Sequence, residues 1–125
     1  QPNTRPGQCW AFQGAQGQAV TRLPQHIWPG AVTVEHISKA VSPSGEVSSA
    51  PKDFAVFGMD EEGPEEDLLG LFAYDVEQEA VQTFHLKKQL PRAFQFIKFQ
   101  VRSNWGKREY TCLYQVQVQG ILAAQ

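Results

Sequence analysis

The chain has 125 residues, 42% of them hydrophobic and including 8 Phe, 3 Trp and 3 Tyr, which is enough apolar material for one packed core and too little for two. Charged residues make up 19%, and 11 Lys plus Arg against 13 Asp plus Glu leave a formal net charge of −2. Its densest basic clusters are only the pairs Lys87-Lys88 and Lys107-Arg108, which argues against nucleic acid as a partner, and no apolar run approaches the roughly 20 residues that span a bilayer.

Ten Gly and eight Pro are spread so that most stretches between them are short, a spacing that suits strands joined by turns and predicts an all-β domain of about eight strands. Ala19 to Leu23 is the first apolar run. Val32, Val34 and His36 then share one face of a segment opposite Thr33, Glu35 and Ile37. Turn-rich connectors follow at Ser42-Pro43-Ser44-Gly45 and Ser48-Ser49-Ala50-Pro51, before the apolar run Phe54 to Phe57. The acidic run Asp60 to Asp67 lacks the alternating oxygen ligands and turn glycine of a calcium loop, so it reads as a solvated loop.

Leu68 to Tyr74 and Val81 to Leu86 supply two more strands. The Gly- and Pro-free stretch Leu71 to Leu90 that contains them reads as a hairpin, because Val81, Thr83 and Phe84 favour strands and Glu77-Gln78-Glu79 interrupts any helical stripe. In residues 94 to 102 the alternation slips at Phe96-Ile97, which predicts a β-bulge. Near the C-terminus Tyr114, Val116 and Val118 face one way and Gln115, Gln117 and Gln119 the other, a half-buried strand ending at Gly120.

Motifs for chemistry are sparse. His26, His36, His85, Cys9 and Cys112 fall at no metal-ligand spacing, and the chain has no nucleophile elbow, glycine-rich phosphate loop or nucleotide fingerprint. Ser49, His36 and Asp53 are the only tempting catalytic trio, so catalysis is not expected. Cys9 and Cys112 lie near opposite ends, and from the residues alone a bridge and two buried thiols both stay open.

Read in order, Pro6-Gly7-Gln8-Cys9-Trp10-Ala11-Phe12, Thr33-Val34-Glu35-His36-Ile37, Ser42-Pro43-Ser44-Gly45, Ser48-Ser49-Ala50-Pro51-Lys52-Asp53-Phe54, Ser103-Asn104-Trp105-Gly106 and Glu109-Tyr110-Thr111-Cys112-Leu113-Tyr114 resemble the SUN domain from about Gln1 to Gly120. The resemblance implies a compact antiparallel β-sandwich, a jelly roll like galactose-binding and discoidin domains. Its divisions here would be a cation-loop-like segment at 1–12, the sandwich at 13–120 and a tail at 121–125. It implies a non-catalytic tether at the inner nuclear membrane whose domain faces the perinuclear space and grips the C-terminal KASH peptide of outer-nuclear-membrane proteins, in the LINC complex. The expected binding mode is strand addition with carboxylate capture.

Carried over residue by residue, the carboxylate pocket would be Ser49, Tyr110 and Tyr114, with His36 nearby. Three hydroxyl donors can converge on a carboxylate without importing a charge that is buried when the pocket is empty. The resemblance also turns the open cysteine question into a Cys9–Cys112 disulfide, between tyrosines that share a face in one extended strand. A cation loop over Gln1, Asn3 and Gln8 beside Tyr114 would hold a monovalent ion, K+ or Na+, mostly through carbonyls, although relatives carry Asp and Asn at two of these places.

The family assembles as a homotrimer on a coiled coil, with a hairpin, the KASH lid, clasping the peptide. The chain starts at Gln1 without Met, so it reads as a processed form or excised piece, expected to be a monomer and membrane-linked only through segments absent from it. Lys107-Arg108 replaces His-Pro of the somatic members and Gln115 to Gly120 a more basic strand, pointing to a specialised germ-cell paralogue. Two other classes compete: a glycan- or lipid-binding lectin-like sandwich using Trp10, Trp28 and Trp105 beside a calcium site, and an enzyme built on Ser49 and His36 with an orienting carboxylate.

Overall fold

The computed structural model describes residues 9–38, 45–60 and 65–123. They form eight strands: β1 (Trp10–Gln13), β2 (Gly17–Glu35), β3 (Asp53–Met59), β4 (Glu66–Ala73), β5 (Val81–His85), β6 (Phe94–Val101), β7 (Tyr110–Leu113) and β8 (Gln115–Leu122). All pairings are antiparallel, in the order β4-β3-β6-β2-β5 with β8 also on β2, and β1 pairs with β7 separately.

The long strand β2 makes this a sandwich. Ala19–Leu23 and Val32–His36 read as separate strands in the sequence, but they are two halves of this one strand. Its first half pairs with β6, from Gly17 opposite Val101 to Arg22 opposite Phe96, and its second half is flanked by β5 and β8. Pro24 and Pro29 lie in between, each without a donor N–H, and the register shifts between Arg22 and Ile27 and again between Pro29 and Ala31. The strand thereby passes from one layer to the other. The layers meet through aromatic rings: Phe84 on β5 lies 5.1 Å from Phe54 on β3 and 5.2 Å from Phe72 on β4, while within one layer Phe54 stacks on Phe99 of the neighbouring β6 at 4.5 Å. Val32, Val34, Val56, Leu69, Phe94, Val101 and Leu113 complete the core.

Three local expectations change. Leu71 to Leu90 is not a hairpin, because β4 pairs with β3 and β5 with β2. Residues 74–80 instead cross between the layers, held by Tyr74 Oη donating to the Ala80 carbonyl and by the Gln82 amide, which donates to the carbonyls of Asp75 and Glu79. The alternation does slip between Phe94 and Ile97, but the surplus residues sit on β2, where 23–26 face Gln95, and β6 pairs with β3 without a break through Phe96. Finally, the strand expected to carry Tyr110, Cys112 and Tyr114 on one face breaks at Tyr114, between β7 and β8. Sheet pairing extends into both flanking segments, since β1 begins at Trp10 and β8 ends at Leu122.

Candidate functional site

Where β2 runs out, His36 turns inward and is only 2% exposed. Burial disfavours the imidazolium and lowers its pKa, more strongly than the Ile37 carbonyl raises it. The ring is therefore neutral at physiological pH. Its Nδ1 lies 3.0 Å from the Ile37 carbonyl, which can only accept, so the proton belongs on Nδ1. That leaves Nε2 as an acceptor for the Ser49 hydroxyl, 3.3 Å away. The edge of the ring meets Tyr114 at 4.8 Å between centroids and 89° between planes.

Ser49 is half-buried in a tight turn in which the Ala50 N–H donates to the Val47 carbonyl. Main-chain bonds lace this turn to the far end of the chain. Cys112 N–H donates to the Ser49 carbonyl (2.8 Å), Lys107 N–H to Ser48 (3.2 Å) and Trp105 N–H to Ala50 (3.2 Å), while Pro51 bridges Asn104. Cys112 is bonded to Cys9, with Cα atoms 5.4 Å apart, tying the start of β1 to β7. Tyr114 follows, buried, its N–H on the Glu35 carbonyl at 3.3 Å.

The structure thus brings His36, Ser49 and Tyr114 into one contact set, with the disulfide beside it. Tyr110 lies outside that set, at the start of β7, where it is 39% exposed and Lys107 Nζ stands 5.0 Å from its ring centroid. Four residues of extended chain cover about 13 Å, so the two tyrosines occupy opposite ends of the site. Gln1, Asn3 and Gln8 of the expected cation loop fall outside the described residues; Tyr114, its fourth member, stands against His36. Among the described residues no group of three or more His, Cys, Asp or Glu is placed to hold a metal ion.

Ser49 and His36 do meet, but Asp53 does not join them. It accepts a hydrogen bond from Ser103 Oγ at 3.0 Å on the surface, and a backbone carbonyl occupies the Nδ1 side where an orienting carboxylate belongs. Of the tryptophans, Trp10 and Trp28 are exposed, whereas Trp105 donates its Nε1–H to the Tyr74 carbonyl at 2.8 Å and lies under the Lys52 ammonium.

Asn104 is the residue to which sequence reasoning gave no role. Its amide donates to the carbonyls of Lys107 (2.6 Å) and Tyr110 (3.2 Å) and to Thr111 Oγ1 (3.0 Å), and its carbonyl accepts from Gly106 N–H at 2.9 Å. Gly106 sits at φ 126°, a left-handed region that favours glycine. The only signal in the sequence was the Asn104-Trp105-Gly106 string itself, which carries no chemistry until the chain folds around it.

The pattern for Sad1 / UNC-like C-terminal regions matches residues 1–121. The chain belongs to this family, the SUN domains. It is 51% identical over 121 residues to SUN domain-containing protein 2 of Mus musculus and 52% identical over 122 residues to SUN domain-containing protein 1 of Homo sapiens, each match covering 96% of the chain. Sperm-associated antigen 4 protein of Mus musculus is 43% identical over the whole chain. The chain spans 17%, 16% and 28% of the length of these three relatives.

Among solved structures, the family 32 carbohydrate-binding module of Streptococcus pneumoniae EndoD superposes with a TM-score of 0.73 over 94% of the chain and 78% of the module, at 18% identity. An F5/8 type C domain from Bacteroides fragilis gives 0.67 over 93% of the chain and 75% of its own, at 11% identity. At that identity the likeness bears on architecture alone, and it agrees with the galactose-binding, discoidin-like sandwich expected of a SUN domain.

Proposed function

We propose that this SUN domain is a non-catalytic tether of the nuclear envelope. In the perinuclear space it grips the C-terminal KASH peptide of an outer-nuclear-membrane protein, and segments outside this chain anchor it in the inner nuclear membrane. The pair forms a LINC complex that couples nucleus to cytoskeleton. One observation carries the reading: Ser49 is held from both sides, by the His36 ring at its hydroxyl and by Cys112 at its carbonyl, next to Tyr114.

A peptide carboxylate needs convergent donors whose positions are fixed before it arrives, because ordering them on binding costs affinity. Ser49 sits on a turn fastened to the sheet, and its hydroxyl proton, which rests on His36 Nε2, turns to the carboxylate when the peptide arrives; Tyr114 brings a second hydroxyl on a strand end, and Tyr110 lines the exposed end. All three are neutral, so the empty site buries no unpaired charge.

The test is titration of a KASH-type C-terminal peptide into the protein, once as the free acid and once as the amide. The acid should bind more tightly. Ser49→Ala and Tyr114→Phe should each cost about 1 to 3 kcal/mol of that affinity, the range for leaving a charged group one donor short. Equal binding of acid and amide would remove the carboxylate-capture role.

A further inference from the structure

The loop between β6 and β7 carries two cations that carboxylate capture by hydroxyls leaves unused. Lys107 is half-buried and Arg108 exposed. Ion pairs among the described residues use His26, Arg92 and Lys98, and no described carboxylate pairs with Lys107 or Arg108. Lys107 is nonetheless fixed in place. Its N–H donates to Ser48, the neighbour of Ser49, and its carbonyl accepts from Asn104. Its ammonium lies over the ring of Tyr110. The main chain of Lys107 is therefore fastened to the turn that carries Ser49, and its charge is held against the tyrosine at the exposed end of the site.

An ammonium over an exposed ring gains only about 0.5 to 1 kcal/mol, and its donors remain open to a ligand. Hydroxyl donors recognise a carboxylate through short, directed bonds and are indifferent to the charge of side chains further along the peptide. An ammonium acts over roughly the Debye length, about 8 to 10 Å, and so senses those side chains as well.

We propose that Lys107, with Arg108 beside it, forms a cationic wall of this site and selects peptide tails that carry negative charge in addition to the terminal carboxylate. The location rests on the carboxylate-capture reading; the choice among carboxylate-ended tails is new.

The experiment uses a KASH-type peptide with a free C-terminus and with the residue before the last set to Glu, Gln or Lys, titrated at low and high salt. The protein is compared with Lys107→Gln, the Lys107→Gln, Arg108→Gln double variant, Lys107→Arg and Lys88→Gln, the last as a control for net charge. The expected order is Glu tighter than Gln, and Gln tighter than Lys. The Glu-to-Gln difference should be about two- to fivefold at low salt, the range for a partly exposed ion pair, and should shrink at about 0.5 M salt. Lys107→Gln should reduce it and the Lys107→Gln, Arg108→Gln double variant abolish it, while Lys107→Arg and Lys88→Gln keep it.

An unchanged Glu preference in Lys107→Gln overturns the wall. So does the absence of any preference in a protein that still favours acid over amide, a result that leaves carboxylate capture standing. Loss of the acid-over-amide difference itself removes both readings. Lys107-dependent binding to vesicles of anionic lipid, with all three peptides bound equally, reassigns the pair to a membrane surface and overturns peptide selection.

Discussion

Cys112 and Ser49 are joined through the main chain: the Cys112 N–H donates to the Ser49 carbonyl at 2.8 Å. The hydroxyl donor of the site is thus placed by the same strand residue that carries the disulfide. That strand is half of a two-stranded ribbon, β1 with β7, running from Trp10 opposite Leu113 to Gln13 opposite Tyr110. Two strands alone are marginal in water. Here they are held by the Cys9 bridge at one end and by Thr111 Oγ1 donating to the Gly14 carbonyl (2.8 Å) at the other.

Removing the bridge should therefore weaken both the fold and the site. The Cys9→Ser, Cys112→Ser double variant is expected to lose about 2 to 5 kcal/mol of stability, as native bridges in small domains do, and its peptide affinity should fall with it. Mass measurement after alkylation, with and without prior reduction, checks the premise. If both thiols of protein folded under oxidising conditions alkylate without reduction, the bridge is absent and the placement of Ser49 needs another cause.

Asn104 organises the opposite end of β7. Asn104→Ala leaves the Gly106 N–H and three oxygen acceptors without their partner, and it should cost about 1 to 3 kcal/mol in chemical denaturation. Asn104→Asp separates the two halves of the role. Its carboxylate can still accept from Gly106 but cannot donate to Lys107, Tyr110 and Thr111, so it should be at least as damaging as Ala. Native-like stability of the Asp variant would show that the donor bonds contribute nothing.

What the sequence showed clearly was whatever depends on local period or on the identity of a few polar residues. The apolar runs at Phe54–Phe57, Val81–Leu86 and Val116–Val118 lie in strands, but for Leu86 just past the end of β5, because alternation over one half-buried face is a short-range property. His36, Ser49 and Tyr114 were found through motifs, and they converge. Partnering was not legible. Nothing between Leu71 and Leu90 says that its two strands belong to different layers, because that choice is made by rings far away in sequence, Phe54 against Phe84 and Phe72 against Phe84. Nor did Pro24 and Pro29 read as interior to a strand, since their missing donors are tolerated only where the register breaks.

His36 gives a pH dependence of known sign. Its folded-state pKa lies below the unfolded value of 6.5, because burial opposes the charge. Below that value the unfolded chain binds a proton that the folded chain resists, so the stability from neutral His36 is complete above about pH 6.5 and declines as pH falls through it. Denaturant titrations of the protein and of His36→Gln between about pH 5 and 8 should converge toward the acid end, by at most about 1.4 kcal/mol per pH unit. Parallel curves would mean that the buried ring accepts its proton without penalty.

Gly120 is the last case, and its meaning reversed between sequence and structure. It read as the end of a strand, yet β8 continues past it to Leu122, with Gly120 opposite Pro29 and Ile121 opposite Trp28. A Cβ at this position would lie 2.9 Å from Pro29 Cα and still closer to the Trp28 carbonyl oxygen. Both are main-chain atoms, which cannot rotate aside as a side chain does. The glycine is there so that two backbones can approach closely where β2 shifts register. Gly120→Ala must push β8 away from β2, and because those two strands form one wall of the sandwich it should cost about 1 to 3 kcal/mol, the usual range for overpacking. The loss should appear in the denaturation midpoint and as faster hydrogen exchange in the amides of Ile27, Trp28 and Gly120–Leu122, leaving β3, β4 and β6 protected. A variant as stable as the parent, with exchange unchanged, would show that this stretch of the β2–β8 ladder contributes nothing to holding the second layer in place.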